Sequence, residues 1–195
     1  MADVGNVNKP FGLVPLRRLD GACWNGATQL CYIPSTDSTA VAAGDAVKLA
    51  GSADSNGIPT VAQCAAGDAI FGVVTSVAFS SLDTEASLVY RAASTNRYVN
   101  VCVDRNVVYK IQEDSVGSTL AATDVGSVAD IVVAAVDTTL GMSKMMLDSS
   151  TAATGSSAQL RIIALASDPN NAIGDYADYE VVLNENELHH AANGT

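Results

Sequence analysis

The side chains that could do chemistry are few and poorly grouped for it. The only histidines, His189 and His190, are adjacent and close to the C-terminus. A Ser/His/Asp or Cys/His site would have to borrow one of them, and a general base must be held by a packed orienting group. The chain has no GxSxG nucleophile elbow, no P-loop and no GxGxxG. Asp168-Pro169-Asn170-Asn171-Ala172-Ile173-Gly174-Asp175 has the oxygen-rich composition of a calcium loop. Pro169 interrupts it, and Tyr179 stands where an EF-hand loop needs a bidentate Glu. Glu113-Asp114, or Glu185 with Glu187, have the residue types of a glycosidase pair, but sequence does not set the separation that such chemistry needs. With aromatics at only 5% to hold a sugar, surface charge is the better account of them. The four cysteines, Cys23, Cys31, Cys64 and Cys102, show no CxxC spacing, so neither a zinc ribbon nor a thioredoxin motif is read. Buried free thiols are one expectation and a Cys23–Cys31 bridge across a hairpin is the other. No catalytic residue, metal or cofactor is expected.

The elements that would position any site are strands. Short apolar runs are separated by clusters of Gly, Ser, Thr, Asn and Asp, a texture that favours many strands over long helices. The central feature is Gly44-Asp45-Ala46-Val47-Lys48-Leu49 with its return, Asp68 to Val74. Gly44-Asp45 has turn chemistry, and Val47 and Leu49 alternate with Ala46 and Lys48. A β-meander is predicted here, with 50–57 as a surface loop. Further strands are predicted at 29–33, 73–79, 88–91, 97–103, 106–112, 129–136, 160–166 and 179–184. Strands 88–91 and 97–103 are expected to pair. The Met142, Met145, Met146 cluster reads as core filling. The fold class is therefore all-β: a small β-barrel or β-sandwich body over 21–188, an extended N-terminal arm over 1–20, and a flexible tail over 189–195.

The arm is argued from its prolines and glycines. Gly5, Pro10, Gly12 and Pro15 break any helix, and residues before proline are pushed to extended geometry. Lys9, Arg17 and Arg18 lie there among Phe11, Leu13, Val14 and Leu16. Such a segment either folds back on its own domain or lies across a partner. Trp24, the only tryptophan, is bracketed by the turn dipeptides Asp20-Gly21 and Asn25-Gly26, and reads as a core or interface anchor. Trp24 and Tyr32 are the candidates for a subunit interface.

Charge narrows the partners. Of the net −11, residues 111–195 carry −10, with twelve acidic and two basic side chains. Nucleic acid is not an expected partner, because neutralising phosphates needs clustered Lys and Arg. No apolar run reaches the ~18 residues of a membrane span. No membrane partner and no secretory signal are expected.

Gly12 to Gly21, Trp24-Asn25-Gly26-Ala27, Tyr32 to Asp37, and Gly44 to Gly51, with weaker matches at Tyr90-Arg91-Ala92-Ala93 and Leu147 to Thr151, resemble the head decoration (cement) proteins of tailed-bacteriophage capsids. Cys23-Trp24 departs from that pattern, where a small residue and Tyr are expected. The resemblance implies a non-enzymatic, mostly β protein, often trimeric, on the outer capsid surface of the virion. It implies the major capsid protein as partner, with assembly in host cytoplasm. The capsid-docking candidates are Lys9, Phe11, Leu13, Arg17 and Arg18. A tail, baseplate or receptor-binding virion module is the alternative, and a cell-wall hydrolase is disfavoured by the missing constellations.

Overall fold

The computed structural model describes residues 5–78, 89–155 and 157–188. It is all-β. The strands are β1 (Val14–Arg18), β2 (Gln29–Ile33), β3 (Ala46–Ala53), β4 (Pro59–Gln63), β5 (Gly72–Ala78), β6 (Arg97–Cys102), β7 (Val107–Gln112), β8 (Val128–Ala129), β9 (Ile131–Val132), β10 (Met146–Leu147), β11 (Leu160–Leu165) and β12 (Asp178–Leu183). Among the described residues the only helical elements are single 3-10 turns, Ala122–Asp124 and Ser149–Thr151.

Two bodies pack through a shared core, and the barrel has a second core inside it. Strands β2-β4-β3-β5-β6 close into a barrel, in which only the β2–β4 contact is parallel. Strands β1-β7-β12-β11-β8 form an open antiparallel sheet against it. Side chains alternate across a strand, so a strand between the two bodies must be apolar on both faces. Val47, Val74, Val99 and Val101 fill the barrel with Cys31, Ile33, Val61 and Phe71. Their neighbours Ala46, Val73 and Cys102 point the other way and meet Tyr109, Ile111, Leu160, Ile162, Tyr179 and Val181 of the sheet. A buried glutamine ties the bodies together. Gln159 Nε2 donates to Ala65 O (2.9 Å) and Asp68 O (2.7 Å), while its Oε1 accepts from Ile131 N–H.

Three segments cross at Gly44-Asp45. Leu13 N–H donates to Gly44 O at 2.9 Å, Ser143 N–H donates to Ala43 O, and Gly44 N–H donates to Val74 O. Gly12 has φ 72° and Gly44 φ 95°, and a Cβ on Gly12 would lie 2.5 Å from Ser143 Cβ and 2.6 Å from Gly44 O. Only glycine allows both the left-handed backbone and the approach. Beneath the crossing Asp45 is fully buried, and its Oδ2 accepts from Ala42 N–H (2.9 Å) and Gln63 Nε2 (3.2 Å). Burial pushes its carboxyl above the usual range.

The structure decides one expectation and corrects others. Of the two placements open to the arm, residues 5–18 fold back on their own domain: Asn6 bonds Ala172 and Asp175, Gln112 holds Val7 O and Lys9 N–H, and Val14–Arg18 is strand β1 on β7. Backbone donors and acceptors within a crossing segment need partners, and the body supplies them. The meander is replaced by a sheet with β3 in the middle, because β5 returns to the side of β3 away from β4. β3 runs on to Ala53, so the loop shrinks to a turn in which Asp54 Oδ1 accepts from Asn56 and Ile58 N–H. Val89-Tyr90-Arg91 forms no strand with β6. Arg91 makes a lone bridge to Val41, and β6 lies between β2 and β5. The 129–136 run breaks at Asp130 into β8 and β9. Met145 and Met146 are buried as read, but Met142 is exposed. Phe79, Leu88 and the predicted tail over 189–195 lie outside the described residues.

Two outcomes test the crossing. Gly12→Ala adds a left-handed strain and an overlap, and is expected to cost about 2–5 kcal/mol in urea unfolding. Gly5→Ala, where no atom lies within 4 Å, should change stability by less than about 0.5 kcal/mol. Asp45 gives a pH signature. Its folded pKa lies above the unfolded one, so the folded state holds more protons and this group's contribution falls as pH rises from its ordinary value, 3.8, to the raised value. The stability difference between wild type and Asp45→Asn, measured by denaturation across that window, should shift against the wild type as pH rises and flatten above it. A difference independent of pH would refute the assignment.

Candidate interaction surface

The crossing leaves a recess on the surface. Phe11, Leu13, Val14 and Pro15 form one wall, Ala43-Gly44 and Val74-Thr75 the floor, and Trp24 and Met142 the ends. Its volume is about 310 Å³. None of these side chains titrates near neutral pH, so the recess can bury apolar surface but cannot transfer a proton. Trp24 packs against the shared core, and its Nε1–H is buried without an acceptor. A buried unpaired donor is costly to leave so, and an occupant that brings a carbonyl would satisfy it. Two of the lining side chains are exposed, Val14 at 38% and Met142 at 42%. Leu16, Leu140 and Val89 are exposed apolar residues as well, Val89 lying against Gly141.

β1 is an edge strand, and it is protected. Its register with β7 shifts between Pro15 and Arg17, which bulges Leu16 outward. Arg18 N–H is taken by Ala22 O on the open side. Bulges and prolines of this kind keep edges from pairing with a foreign strand. The open side of β1 is therefore poorly suited to strand addition.

The sequence-selected residues divide. Phe11 and Trp24 meet in the recess. Leu13 lines it but is 1% exposed and belongs to the core, so it is not available as a docking side chain; its N–H anchors the crossing instead. Lys9 is exposed at the N-terminal approach, and Lys110 Nζ sits 5.2 Å from the Phe11 ring centroid. Arg17 is paired with Glu180 (2.6 Å), and Arg18 with Asp104 and with Asp20 (3.4 Å), so neither guanidinium is a free docking charge. Tyr32 is on the barrel, away from the recess lining. Its hydroxyl donates to Asn96 Oδ1 (2.7 Å) and its ring lies 5.2 Å from that of Tyr98. Sequence reasoning missed Met142 and Val74-Thr75 as recess residues. Their only signal was apolarity, which the core explains equally well.

The residues with chemical types are structural where they are described. Glu113 is buried and accepts from Ser115 Oγ and Leu120 N–H, with burial raising its pKa. Asp114 accepts from Ser149 and Val116. Glu187 accepts from Leu49 N–H. In the calcium-like loop Asp168 pairs with Lys110, and Asn171 bonds Ala166 and Asp178. Among the described residues no three His, Cys, Asp or Glu side chains come together to hold a metal. All four cysteines are free thiols, with Cys23 exposed and the other three buried; burial pushes the Cys31 thiol up to about 11. His189 and His190 lie outside the described residues.

Comparison with protein-family models, with curated proteins and with solved structures gives no match.

Trp24 should be separable into ring and N–H contributions. Trp24→Phe removes a donor that has no partner and keeps most of the ring, so its stability should stay within about 1 kcal/mol of wild type. Trp24→Ala should lose about 2–4 kcal/mol as the ring leaves the core edge. Equal losses in chemical denaturation would mean that the indole N–H is bonded in the folded protein.

Proposed function

We propose that this chain is a non-enzymatic virion protein that binds the outer surface of a phage capsid and stabilises the joints between major capsid proteins. The observation that carries the reading is the apolar recess between Phe11, Trp24 and Met142, with exposed Val14 and Leu16 beside it. A soluble chain that leaves its only tryptophan at the edge of such a recess has the makings of an interface hot spot, an aromatic anchor ringed by apolar contacts. The resemblance of the N-terminal quarter to cement proteins supports the same reading, because seven of the ten residues lining the recess come from that quarter.

Of the two placements that the sequence left open for the basic arm, folding back on its own domain and lying across a partner, the docking element uses the first. The segment 5–18 is part of the folded body, and its arginines are paired within the chain. Docking is therefore a rigid, mainly apolar contact, with Lys9 at its margin. The acidic second half faces outward in this arrangement and keeps the particle soluble. The chain assembles as a homotrimer in host cytoplasm, and several weak contacts per trimer add through effective concentration on the lattice. A cement protein bound to the closed shell and not to separated subunits stabilises the shell by mass action.

The test uses emptied particles lacking the protein. The wild-type chain should sediment as a trimer, saturate the particles at a fixed ratio and raise their disruption temperature. Val14→Glu with Met142→Glu should weaken particle binding at least about tenfold while leaving the melting temperature of the free protein unchanged. Retained binding by the double variant would move docking to another face. Labelled protein found only on tails would replace the capsid reading with a tail or baseplate role.

A further inference from the structure

A second cavity lies beyond the C-terminal end of β1. It is formed by Leu19 after β1, Arg105-Asn106 in the β6–β7 turn, and Val182 to Asn186 at the end of β12. Its volume is about 200 Å³. The frame is rigid. Leu19 N–H donates to Asn106 O (2.7 Å), Asn106 N–H donates to Asp104 Oδ1, and the Asn186 backbone is held by Ile70 N–H to Glu185 O and Glu187 N–H to Ile70 O.

Two donors at this cavity lack acceptors. Asn186 is 3% exposed; its Oδ1 accepts from Leu188 N–H (3.0 Å), which fixes the amide orientation, and its Nδ2 has no partner. Arg105 is exposed and has no partner among the described residues. That is unusual here, because acidic side chains outnumber basic ones by 21 to 10. Arg17, Arg18, Lys48, Arg91, Lys110 and Lys144 each have a carboxylate, and Arg161 has carbonyls; the exposed Lys9 is the other cation with no described side-chain bond. The nearest carboxylate in sequence, Asp104, is already taken by Arg18 and Asn106 N–H. Guanidinium has five donors and no acceptor, and an amide NH₂ adds two more. A cavity lined by both calls for an anion with acceptor oxygens.

We propose that this cavity is a carboxylate-binding site, with Arg105 as the charged fork, Asn186 Nδ2 as the buried donor, and Leu19 and Val182 as an apolar wall for the carbon attached to the carboxylate. Arg pairs with carboxylates through two parallel N–H···O bonds, which suits a planar monoanion. One cation in a chain of net charge −11 does not balance a polyanion, so phosphate groups are disfavoured. The carboxylate comes either from a small organic acid or from an Asp, Glu or chain terminus of a neighbouring protein. The chemistry is the same, and the inference does not depend on the capsid reading.

The test is an NMR titration of the ¹⁵N-labelled full chain. The probes are sodium butyrate, Ac-Ala-Glu-Ala-NH₂ and its Gln counterpart, and sodium phosphate, each at ionic strength matched with sodium chloride. Millimolar saturation is expected, with shifts confined to the Asn186 side-chain amide, the Arg105 Nε–H and the Leu19 amide. Arg105→Gln, an exposed change that leaves the core intact, should weaken binding about tenfold. Saturation by butyrate but not by the Glu peptide assigns a free organic acid. Saturation by the Glu peptide and not by the Gln peptide assigns a protein carboxylate. No saturation by either, equal binding in Arg105→Gln, or phosphate binding as tight as butyrate would overturn the proposal.

Discussion

The whole arrangement depends on one backbone crossing, where residues 11–13 run over the Gly44-Asp45 turn with Ser143 beside them. Two chain segments can come this close only if neither carries a side chain at the contact, and Gly12 and Gly44 meet that condition. Once there, Leu13 must enter the shared core and β1 must begin at Val14, in register with Lys110. Asp45 holds the turn from below with two accepted hydrogen bonds. Its full burial removes the carboxylate from water and raises its pKa, against the hydrogen bonds that favour the charged form. The recess is the space left above this crossing, so its shape follows from the glycines.

A second constraint acts on the barrel rim. Arg91 is fully buried and donates to the carbonyls of Pro34, Asp37, Thr39 and Thr95. It gathers a loop of small polar residues that has no ladder of its own. Asp37 lies 3.8 Å away and supplies the charge balance. Burying a guanidinium is tolerable only when its donors are so occupied, and removal of such a group leaves several carbonyls unpaired at once. The exposed pairs, such as Lys48–Asp68 and Lys110–Asp168, contribute much less, since water screens them and the side chains must be ordered.

Much of the strand pattern was legible in the sequence. β2, β6, β7, β11 and β12 fall where apolar alternation and turn residues put them. Pairing was not legible, because periodicity says which face a residue takes and nothing about its neighbour. Sequence order suggested that β4 and β5 lie side by side; the barrel instead puts β3 between them, with β2 closing on β4. The Val47/Ala46 alternation was read as a half-buried strand. In fact both faces of β3 are covered at its start, one by the barrel interior and one by the sheet. The burial of Arg91 was not legible either, since buried arginines carry no local signal. The recess was half legible: Phe11 and Trp24 were marked as unusual, but Met142 joins them from about 120 residues away, a distance that composition cannot bridge.

The edge strand β1 gives these features a common logic. It is the outer strand of the sheet, and its two ends border two different cavities. The Val14-Pro15 end opens on an apolar recess, and Leu19 borders a polar one with spare donors. Between them the bulge at Leu16 and the pairing of Arg17 with Glu180 close the strand to backbone pairing. The edge is thus closed to strand addition, and the free chain offers no open strand there that would make it aggregate. The large excess of negative charge works the same way. It opposes non-specific association of the free chain, while the recess leaves Val14 and Met142 exposed beside Trp24.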